Sequence, residues 1–470
     1  MNKKYILIVG FLCVASILKA QQYGLFNTKT QFDAFENPAA KSFTLDSSSK
    51  FASNFFLPNL GINAANGGGA EGVIRKSINE TIYDTRSLPL GTGKANTFYQ
   101  NTNIYLLTFR IFSSYKYNQE VGFAWQVRSD SHVNYTNETL AIFDSYKRFD
   151  QGPYTDVFNN NGYQQSYHQF SVSIRENYNK KLAFGIKLSL LSGIAYNSLK
   201  IHNSYFYADA NDKLDIGVNG TYKGSFLYND EISKRTFFPT FKNPGASISL
   251  GTTYTSKSGY YLMGNIKDLG LIKWSKSSYI ANFNTLKSIY DVSTKSSSAI
   301  NEEITAIAKD VVEKNGFITP TNAKADFLIS KTFNFYKPSF IVSKNLFHPG
   351  GDIALVNTFK INALSASVIP VYNLDDFIMF GLQGMYQTPN FEFFLGTDNI
   401  GKTISLAKGM YKNDATVGSG YNGASFYMGL GIKFGRTVNH PQNLSTMPGV
   451  NGEKVYKGVF RSLFNFFKKS

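Results

Sequence analysis

The chain has 470 residues, with 41 Phe, 30 Tyr, 39 Gly, a single Cys and a formal net charge of +16. Aromatic residues make up 16% of the chain and charged residues only 17%, which excludes an intrinsically disordered protein because such a composition buries apolar surface readily. One cysteine excludes a disulfide framework, and no apolar run reaches the roughly 18 residues of a transmembrane helix. The composition therefore favours a β-rich protein.

Residues 1–20 have the features of a secretory signal peptide. Lys3 and Lys4 precede the apolar residues 5–18, and Ala20 provides a small residue at the expected cleavage point. An N-terminal membrane anchor is the alternative, but the apolar stretch is short for a membrane span. We therefore predict that the chain is exported and cleaved near Ala20.

Most of the remaining chain alternates apolar and polar residues with a period of two, which is typical of β-strands. Residues 170–175, 182–190 and 426–434 place apolar side chains on one face and mainly small or basic residues on the other. Glu392 likewise lies opposite the apolar face of residues 391–395. We count about 14 such segments of about 8 to 11 residues, a length that crosses an outer membrane as a tilted strand.

Two all-β architectures fit this pattern, a soluble sandwich or propeller and a membrane barrel. Strands in soluble proteins average about 5 to 6 residues, whereas the segments here are longer and are flanked by aromatic residues, as in the girdles of a membrane barrel. These flanking residues are Tyr115, Tyr117, Tyr254, Tyr260, Tyr261, Trp274, Tyr336, Tyr386 and Tyr421. We therefore predict an all-β fold, a transmembrane antiparallel β-barrel of about 14 strands in the cell outer membrane.

Three polar segments interrupt the strand pattern. Residues 58–95 contain three isoleucines spaced four apart, so they fold into the barrel lumen as a short helix or form a surface loop. Residues 128–165 and 203–240 are rich in polar residues and are predicted to be extracellular loops.

A helix is predicted over residues 301–316, inside a Ser-rich insertion that covers residues 275–322. Asn301 can cap its N-terminus, and Gly316 can follow its C-terminus. Its apolar stripe either packs on its own loop or covers the barrel mouth or a partner.

Residues 437–470 form a basic, aromatic C-terminal tail. Its last residues carry apolar side chains at helical spacing among basic ones. A helix lying on an anionic membrane surface and a strand that completes the barrel both fit this pattern.

The sequence contains no motif that predicts catalytic, cofactor-binding or metal-binding residues, and it identifies no ligand-binding residue. The five histidines, which are His132, His168, His202, His348 and His440, form no metal-ligand pair. Basic residues are spread along the chain without the clustered stripe of a nucleic-acid-binding protein. We therefore expect no enzyme and no cofactor, with outer-membrane lipid and envelope proteins rather than nucleic acid as partners.

Three short motifs resemble one group of barrels. They are Asn37-Pro38-Ala39, the strand pair formed by residues 243–254 and 265–274, and residues 393–400. They resemble the long-chain-fatty-acid-transporter-like outer-membrane barrels, including the secretion-associated and uncharacterised barrels of Bacteroidota. The resemblance implies a barrel over residues 21–436 and an N-terminal segment that enters the lumen as a plug. That group contains both hydrophobic-compound channels and non-transporting scaffolds, and none of its ligand-binding residues matches a position here.

Two functions follow from this resemblance. The first is a passive channel for a small solute, hydrophobic compounds included, which predicts a continuous or laterally open lumen. The alternative is a scaffold or accessory subunit of an envelope secretion or gliding-motility complex, which predicts an occluded lumen and co-purifying partners. An outer-membrane lipase is a third, weaker hypothesis, because it needs a Ser–His–acid set.

Overall fold

The computed structural model describes residues 23–43, 49–114, 119–149, 152–209, 212–226, 238–296, 299–300, 302–303, 306, 312–436 and 460. The predicted signal peptide lies outside the described residues, as does the predicted tail apart from Phe460. Within the described ranges, the helices are too short or too polar to cross a membrane.

Twenty strands and four α-helices make up the described part of the chain. The strands are β1 (Ser49–Ser53), β2 (Asn59–Gly67), β3 (Ala95–Ser114), β4 (Gln119–Thr136), β5 (Pro153–Thr155), β6 (Asn161–Asn177), β7 (Leu182–Asp209), β8 (Lys213–Gly224), β9 (Pro244–Thr255), β10 (Tyr260–Trp274), β11 (Tyr279–Tyr290), β12 (Val312–Lys314), β13 (Phe317–Pro320), β14 (Lys324–Lys331), β15 (Tyr336–Asn345), β16 (Gly351–Ile361), β17 (Leu364–Asn373), β18 (Phe377–Gln387), β19 (Phe391–Thr397) and β20 (Asn422–Arg436). The helices are α1 (Gln31–Glu36), α2 (Glu71–Glu80), α3 (Asn137–Asp144) and α4 (Ile400–Lys412).

Antiparallel pairing closes the sheet into a barrel wall with fourteen strand positions. In order, the wall consists of β1 with β2, then β3, β4, β6, β7, β9, β10 and β14 to β20. Two short strands share the first position, since β1 pairs with both β20 and β3, and β2 continues beside β20. The prediction of a transmembrane barrel of about 14 strands is therefore confirmed.

The two faces of the wall differ as the sequence predicted. On the outer face, Val172 is 51% exposed and Leu188 is 55% exposed. Ser171 and Lys187, which directly precede them in the chain, are fully buried on the inner face. The apolar residues thus form the outer surface of the barrel, where lipid tails lie. The closed antiparallel wall also leaves no backbone edge unpaired in lipid. Polar and basic residues point into the lumen.

The two ends of the barrel have connections of different length. One end has tight turns, among them residues 178–181, 256–259 and 362–363, and we call it the short-turn end. The other carries long connections such as residues 68–94 and 398–421, and we call it the long-loop end. Bacterial barrels place short turns in the periplasm and long loops outside the cell, and this rule predicts that the short-turn end faces the periplasm.

One side of the wall continues past the others at the long-loop end. β7 is 28 residues long and pairs first with β9 and then with β8, which itself pairs with β11. Strands therefore occupy parts of residues 128–165 and 203–240, so the predicted extracellular loops are shorter than these ranges. Residues 58–95 are placed as β2 in the wall, α2 above it and a connection to β3.

The predicted helix over residues 301–316 is wrong at its C-terminal end. Ile300, Glu302, Glu303 and Ala306 are helical, but Val312–Lys314 is a strand that pairs with β11. An available sheet edge competes with local helix propensity, and β-branched Val312 suits the strand. Residues 301, 304–305 and 307–311 lie outside the described residues.

Trp274 was predicted in an outer aromatic girdle but is buried inside the barrel. A bulge between Ile266 and Leu269 inserts one extra residue into β10, which exchanges the inner and outer faces for every later residue of that strand. Trp274 therefore packs against Tyr196 and Phe317, and its Nε1 donates a hydrogen bond of 2.9 Å to Thr319.

Candidate functional site

The lumen is occupied by residues 23–43, which we call the plug. Nearly all of these side chains are buried, including Phe32, Phe35 and Phe43. The plug contains the short helix α1, whose N-cap Thr30 accepts a 3.1 Å hydrogen bond from the backbone N–H of Asp33. The predicted N-terminal plug is thus present, and it precedes the first wall strand.

Glu36, at the end of α1, contacts side chains from three wall strands, β3, β4 and β10. Its Oε1 accepts hydrogen bonds from Asn103 Nδ2 at 2.5 Å and from the Tyr105 hydroxyl at 2.8 Å. Its Oε2 lies 2.7 Å from Lys267 Nζ and 3.3 Å from an Arg128 nitrogen. Burying a carboxylate is costly unless it is paired and hydrogen-bonded, and here one carboxylate is matched by two cations and two neutral donors.

Asp268 forms the second centre of this network. The β10 bulge gives Asp268 a positive φ of 54° and turns it inward directly after inward-facing Lys267. Asp268 pairs with Arg128, and Lys187 Nζ lies 3.0 Å from Asp268 Oδ1 at an angle outside hydrogen-bond geometry. With Asp326 at 3.9 Å from Lys267, three carboxylates face three cations, and we call this group the charge hub.

Further bonds attach the plug to the wall around its circumference. Arg110 of β3 and Arg175 of β6 donate to plug carbonyls at 3.1 and 2.9 Å, and Lys337 of β15 donates to another at 2.6 Å. Glu392 of β19 also accepts from the backbone N–H of Gln31 at 2.8 Å. The plug is therefore held by polar contacts from many strands rather than from one side.

Two glycines make room for the Asn37-Pro38-Ala39 motif. A Cβ at Gly185 of β7 would lie 2.0 Å from the Pro38 carbonyl oxygen. A Cβ at Gly251 of β9 would lie 2.7 Å from Asn37 Oδ1 and 3.2 Å from the Cβ of Ala39. The motif that carried the family resemblance thus lies in the lumen against the bare backbone of two strands.

A polar cavity, whose volume of about 420 Å³ includes space open to solvent, lies on the long-loop side of the plug, and we call it the outer cavity. Its polar and charged lining includes Asn63, Tyr99, Gln100, Asn101, Asp130, His132, Tyr163, Asn322, Lys324, Asn345, Asp352, Asn373 and Asp375. The side-chain oxygens of Gln100, Asn322 and Asn345 are buried and have no hydrogen-bond partner within the described protein. Acceptors thus outnumber donors in this lining.

The first residue of the plug separates the outer cavity from the charge hub. The Tyr23 hydroxyl donates a 2.6 Å hydrogen bond to Asp352, and Asp352 also accepts from Asn373 at 2.7 Å. A second cavity, whose volume of about 360 Å³ also includes open space, lies beside the plug and is lined by Tyr23, Glu36 and Arg128 among others. Both cavities are lined by Asn101 and Lys324, so polar residues lead from the outer cavity to the hub.

The histidines occupy separate positions. His132 Nε2 lies 3.1 Å from Asp375 at the outer cavity, and the His348 ring stacks on Tyr163 with centroids 3.7 Å apart. His168 lies beside Trp125, and His202 is exposed on β7. The fifth, His440, lies outside the described residues. Among the described residues, no group of three or more His, Cys, Asp or Glu is arranged to hold a metal ion.

Sequence reasoning named no residue of the charge hub or the outer cavity as a site. Strand alternation did place Lys187 and Glu392 on the non-apolar face, which was the available signal. Strand alternation does not predict which residues pair across the lumen, since Glu36 and Lys267 are 231 residues apart in the chain.

Comparison with known proteins gives a family match and distant structural likenesses. A Pseudomonas aeruginosa FadL homologue is 9% identical with a TM-score of 0.43, over 86% of this chain and 94% of that one. The Pseudomonas putida toluene transporter TodX is 8% identical with a TM-score of 0.40, over 89% and 94%. The translocator domain of the Neisseria meningitidis autotransporter NalP is 8% identical with a TM-score of 0.32, over 82% and 89%.

The comparison with curated proteins yields no match. The family model described as a family of unknown function, DUF5723, matches residues 43–398, which is most of the barrel wall. The chain therefore belongs to the DUF5723 family of unknown function.

Proposed function

We propose that the protein is an outer-membrane channel for a small polar solute, and that the plug is its gate. The observation that carries the proposal is the polar lining shared by the outer cavity and the cavity beside the plug. This lining reaches from the long-loop end to Glu36 and stops at the charge hub. Movement of the plug would extend it toward the periplasm.

The chemistry of the lining favours a polar solute over the hydrophobic one that the family resemblance suggested. Asp130, Asp352 and Asp375 supply carboxylate oxygens, and three amide oxygens have no hydrogen-bond partner among the residues that the structure describes. A solute rich in hydroxyl or ammonium donors would satisfy the three amide oxygens, whereas a hydrocarbon would leave them desolvated and unpaired at a cost of about 1–3 kcal/mol each.

The polar contacts of the plug support a gate, while Leu25, Phe32 and Phe35 also pack on apolar wall side chains and oppose its movement. Ionic and hydrogen-bonded contacts can exchange for contacts with water when the plug moves, whereas a closely packed apolar interface has no such alternative.

A reversible lock tests the gate directly. The Ala39→Cys/Gly251→Cys variant places two thiols at positions whose β-carbons are about 3.2 Å apart, near the range of disulfides. The only native cysteine, Cys13, lies in the predicted signal peptide. In proteoliposomes, we expect arabinose-driven swelling to fall about tenfold when the pair is oxidised and to recover on reduction.

The single variant Ala39→Cys is the matched control, and its swelling rate should not respond to oxidant or reductant. Equal swelling rates for the locked and reduced double variant would show that solute does not pass the plug. A wild-type rate equal to that of empty liposomes would count against a channel for this polyol.

The extent of plug bonding favours a second candidate, a non-transporting scaffold of an envelope complex. Plug contacts reach strands on opposite sides of the wall, so the described lumen is closed along its centre. A scaffold needs no plug movement. The locked variant would then retain its co-purifying envelope proteins and its cellular role, whereas a channel would lose its activity.

A further inference from the structure

The short-turn end of the barrel carries a surface of one charge. The charged side chains there whose exposure the structure describes, and which are exposed or half-exposed, are all lysines: Lys29, Lys41, Lys50, Lys180, Lys181, Lys257, Lys331, Lys337 and Lys360. The carboxylates near this end, Asp33, Glu120, Glu176 and Glu392, are all at most 5% exposed. In the described part of the chain, none of the nine lysines forms an ion pair within 4.0 Å.

The long-loop end shows that this uniformity is not a property of the whole chain. There the surface charges are mixed and paired, as in Arg86 with Asp84, Lys213 with Asp215, and Lys295 with Glu303. A single-sign surface raises the local concentration of ligands of opposite charge. The uniform end is therefore suited to an anionic partner.

Four of the lysines converge on the lumen opening, and we call them the central lysines. They are Lys29 and Lys41 of the plug, Lys337 of β15 and Lys360 of β16. Strand alternation places Lys360 inside the wall, because its neighbours Phe359 and Ile361 are exposed on the outer face. Lys337 is likewise inward, donating to the Asn27 carbonyl at 2.6 Å, and Lys29 lies close enough to Lys360 to repel it electrostatically.

Of the remaining five, the rim lysines, Lys180, Lys181 and Lys257 lie on turns, and Lys50 and Lys331 lie at strand ends. Lys331 is an example, with its Nζ 4.6 Å from the ring centroid of Tyr260 in the outer aromatic belt. Lipid headgroups can reach rim lysines of this kind. The central lysines are separated from the lipid by the barrel wall.

We infer that the central lysines bind an acidic polypeptide segment of a periplasmic partner. Four cationic groups from three separate elements, the plug, β15 and β16, surround the lumen opening, which fits a chain bearing several carboxylates better than one small anion. Because the central lysines come from both plug and wall, one bound segment would contact both. This inference goes beyond the proposed channel and does not depend on it.

The test uses the full-length protein in phosphatidylcholine nanodiscs, with fluorescein-labelled octaglutamate as the probe. We expect salt-sensitive binding to wild-type protein. The Lys29→Gln/Lys360→Gln variant should lower the affinity at least about tenfold, while the matched Lys180→Gln/Lys181→Gln variant, with the same charge loss, should lower it no more than about twofold. Unchanged heat-modifiable migration on electrophoresis checks that both variants are folded.

Three outcomes would overturn the inference. Equal affinity losses in the two variants would indicate a diffuse charge effect. Displacement of octaglutamate from the wild type by phosphatidylglycerol in the nanodisc, or by inorganic phosphate at equal charge, would identify a headgroup or small-anion site. Absence of binding at low salt would remove the site altogether.

Discussion

The charge hub and the outer cavity lie in the same lumen but meet the cost of burying polar groups in different ways. At the hub, each carboxylate has a cation within 4.0 Å, so charge is balanced by the protein itself. At the outer cavity, three amide oxygens have no partner within the described residues, and a bond from Tyr23 to Asp352 connects the plug to this lining. The hub is therefore built to close the lumen, and the outer cavity to receive a ligand.

Removing the central charge of the hub should have the largest effect. Glu36→Gln keeps the size of the side chain but leaves Arg128 and Lys267 buried without their shared carboxylate. Breaking a buried ion pair from one side costs about 3–5 kcal/mol. We expect this loss to appear as much faster hydrogen–deuterium exchange of residues 23–43.

Glu71→Gln is the matched control, because Glu71 lies on α2 outside the lumen. Its exchange should equal that of the wild type. If Glu36→Gln leaves plug exchange unchanged, the charge hub does not hold the plug, and the contrast with the outer cavity fails.

The contact between the two regions should be the next most sensitive position. Tyr23→Phe removes the hydroxyl that donates a hydrogen bond to Asp352, while Asn373 keeps its own hydrogen bond to that carboxylate. Hydrogen bonds to charged groups contribute about 1.5–3 kcal/mol. Exchange should therefore accelerate at residues 23–28 more than at α1, which remains fixed by Glu36.

Tyr254→Phe provides the comparison, since Tyr254 is 39% exposed on the outer wall and its substitution should leave plug exchange unaltered. A uniform acceleration across the plug in Tyr23→Phe would mean that the plug opens as one unit, without separate inner and outer parts.

The sequence predicted the wall well because alternation is a local property. Val172, Lys187 and Glu392 all face the side that their neighbours indicate, since strand periodicity is set by adjacent residues. The plug position was accessible only through the resemblance carried by Asn37-Pro38-Ala39. Residues 58–95 offered helical spacing as well, and periodicity alone gave no means of deciding which segment enters the lumen.

The charge hub depended on features that periodicity does not encode. One extra residue at Asp268 turns two consecutive charged residues inward and moves Trp274 from the outer to the inner face. No glycine or proline stands at that bulge to mark it. The partners of Glu36 come from β3, β4 and β10, so their meeting follows from barrel closure rather than from any local pattern.

The close contact between Gly185 of β7 and Pro38 of the plug predicts a steric effect. Gly185→Ala adds a methyl group about 2.0 Å from the Pro38 carbonyl oxygen, and overpacking of this kind costs about 1–3 kcal/mol. We expect increased protease cleavage within the plug. Gly384→Ala is the control, because a Cβ there meets no atom within 4 Å. Equal cleavage of both variants would indicate that β7 does not position the motif.

The smallest expected effect is a pH dependence at the long-loop end. Burial lowers the pKa of His348, as does nearby His132, while Asp130 opposes the shift. The folded protein therefore binds fewer protons at this site than the unfolded chain, so stability is lost as pH falls below the ordinary histidine pKa of about 6.5. His348→Phe preserves a ring against Tyr163 and should reduce the fall in the thermal unfolding midpoint between about pH 7.5 and pH 5.5.

The exposed His202→Phe should leave that fall unchanged, and a decrease of equal size in both variants would place the pH sensitivity outside the Tyr163–His348 stack. Because this stack borders the outer cavity and not the charge hub, plug exchange in His348→Phe should match the wild type at both pH values.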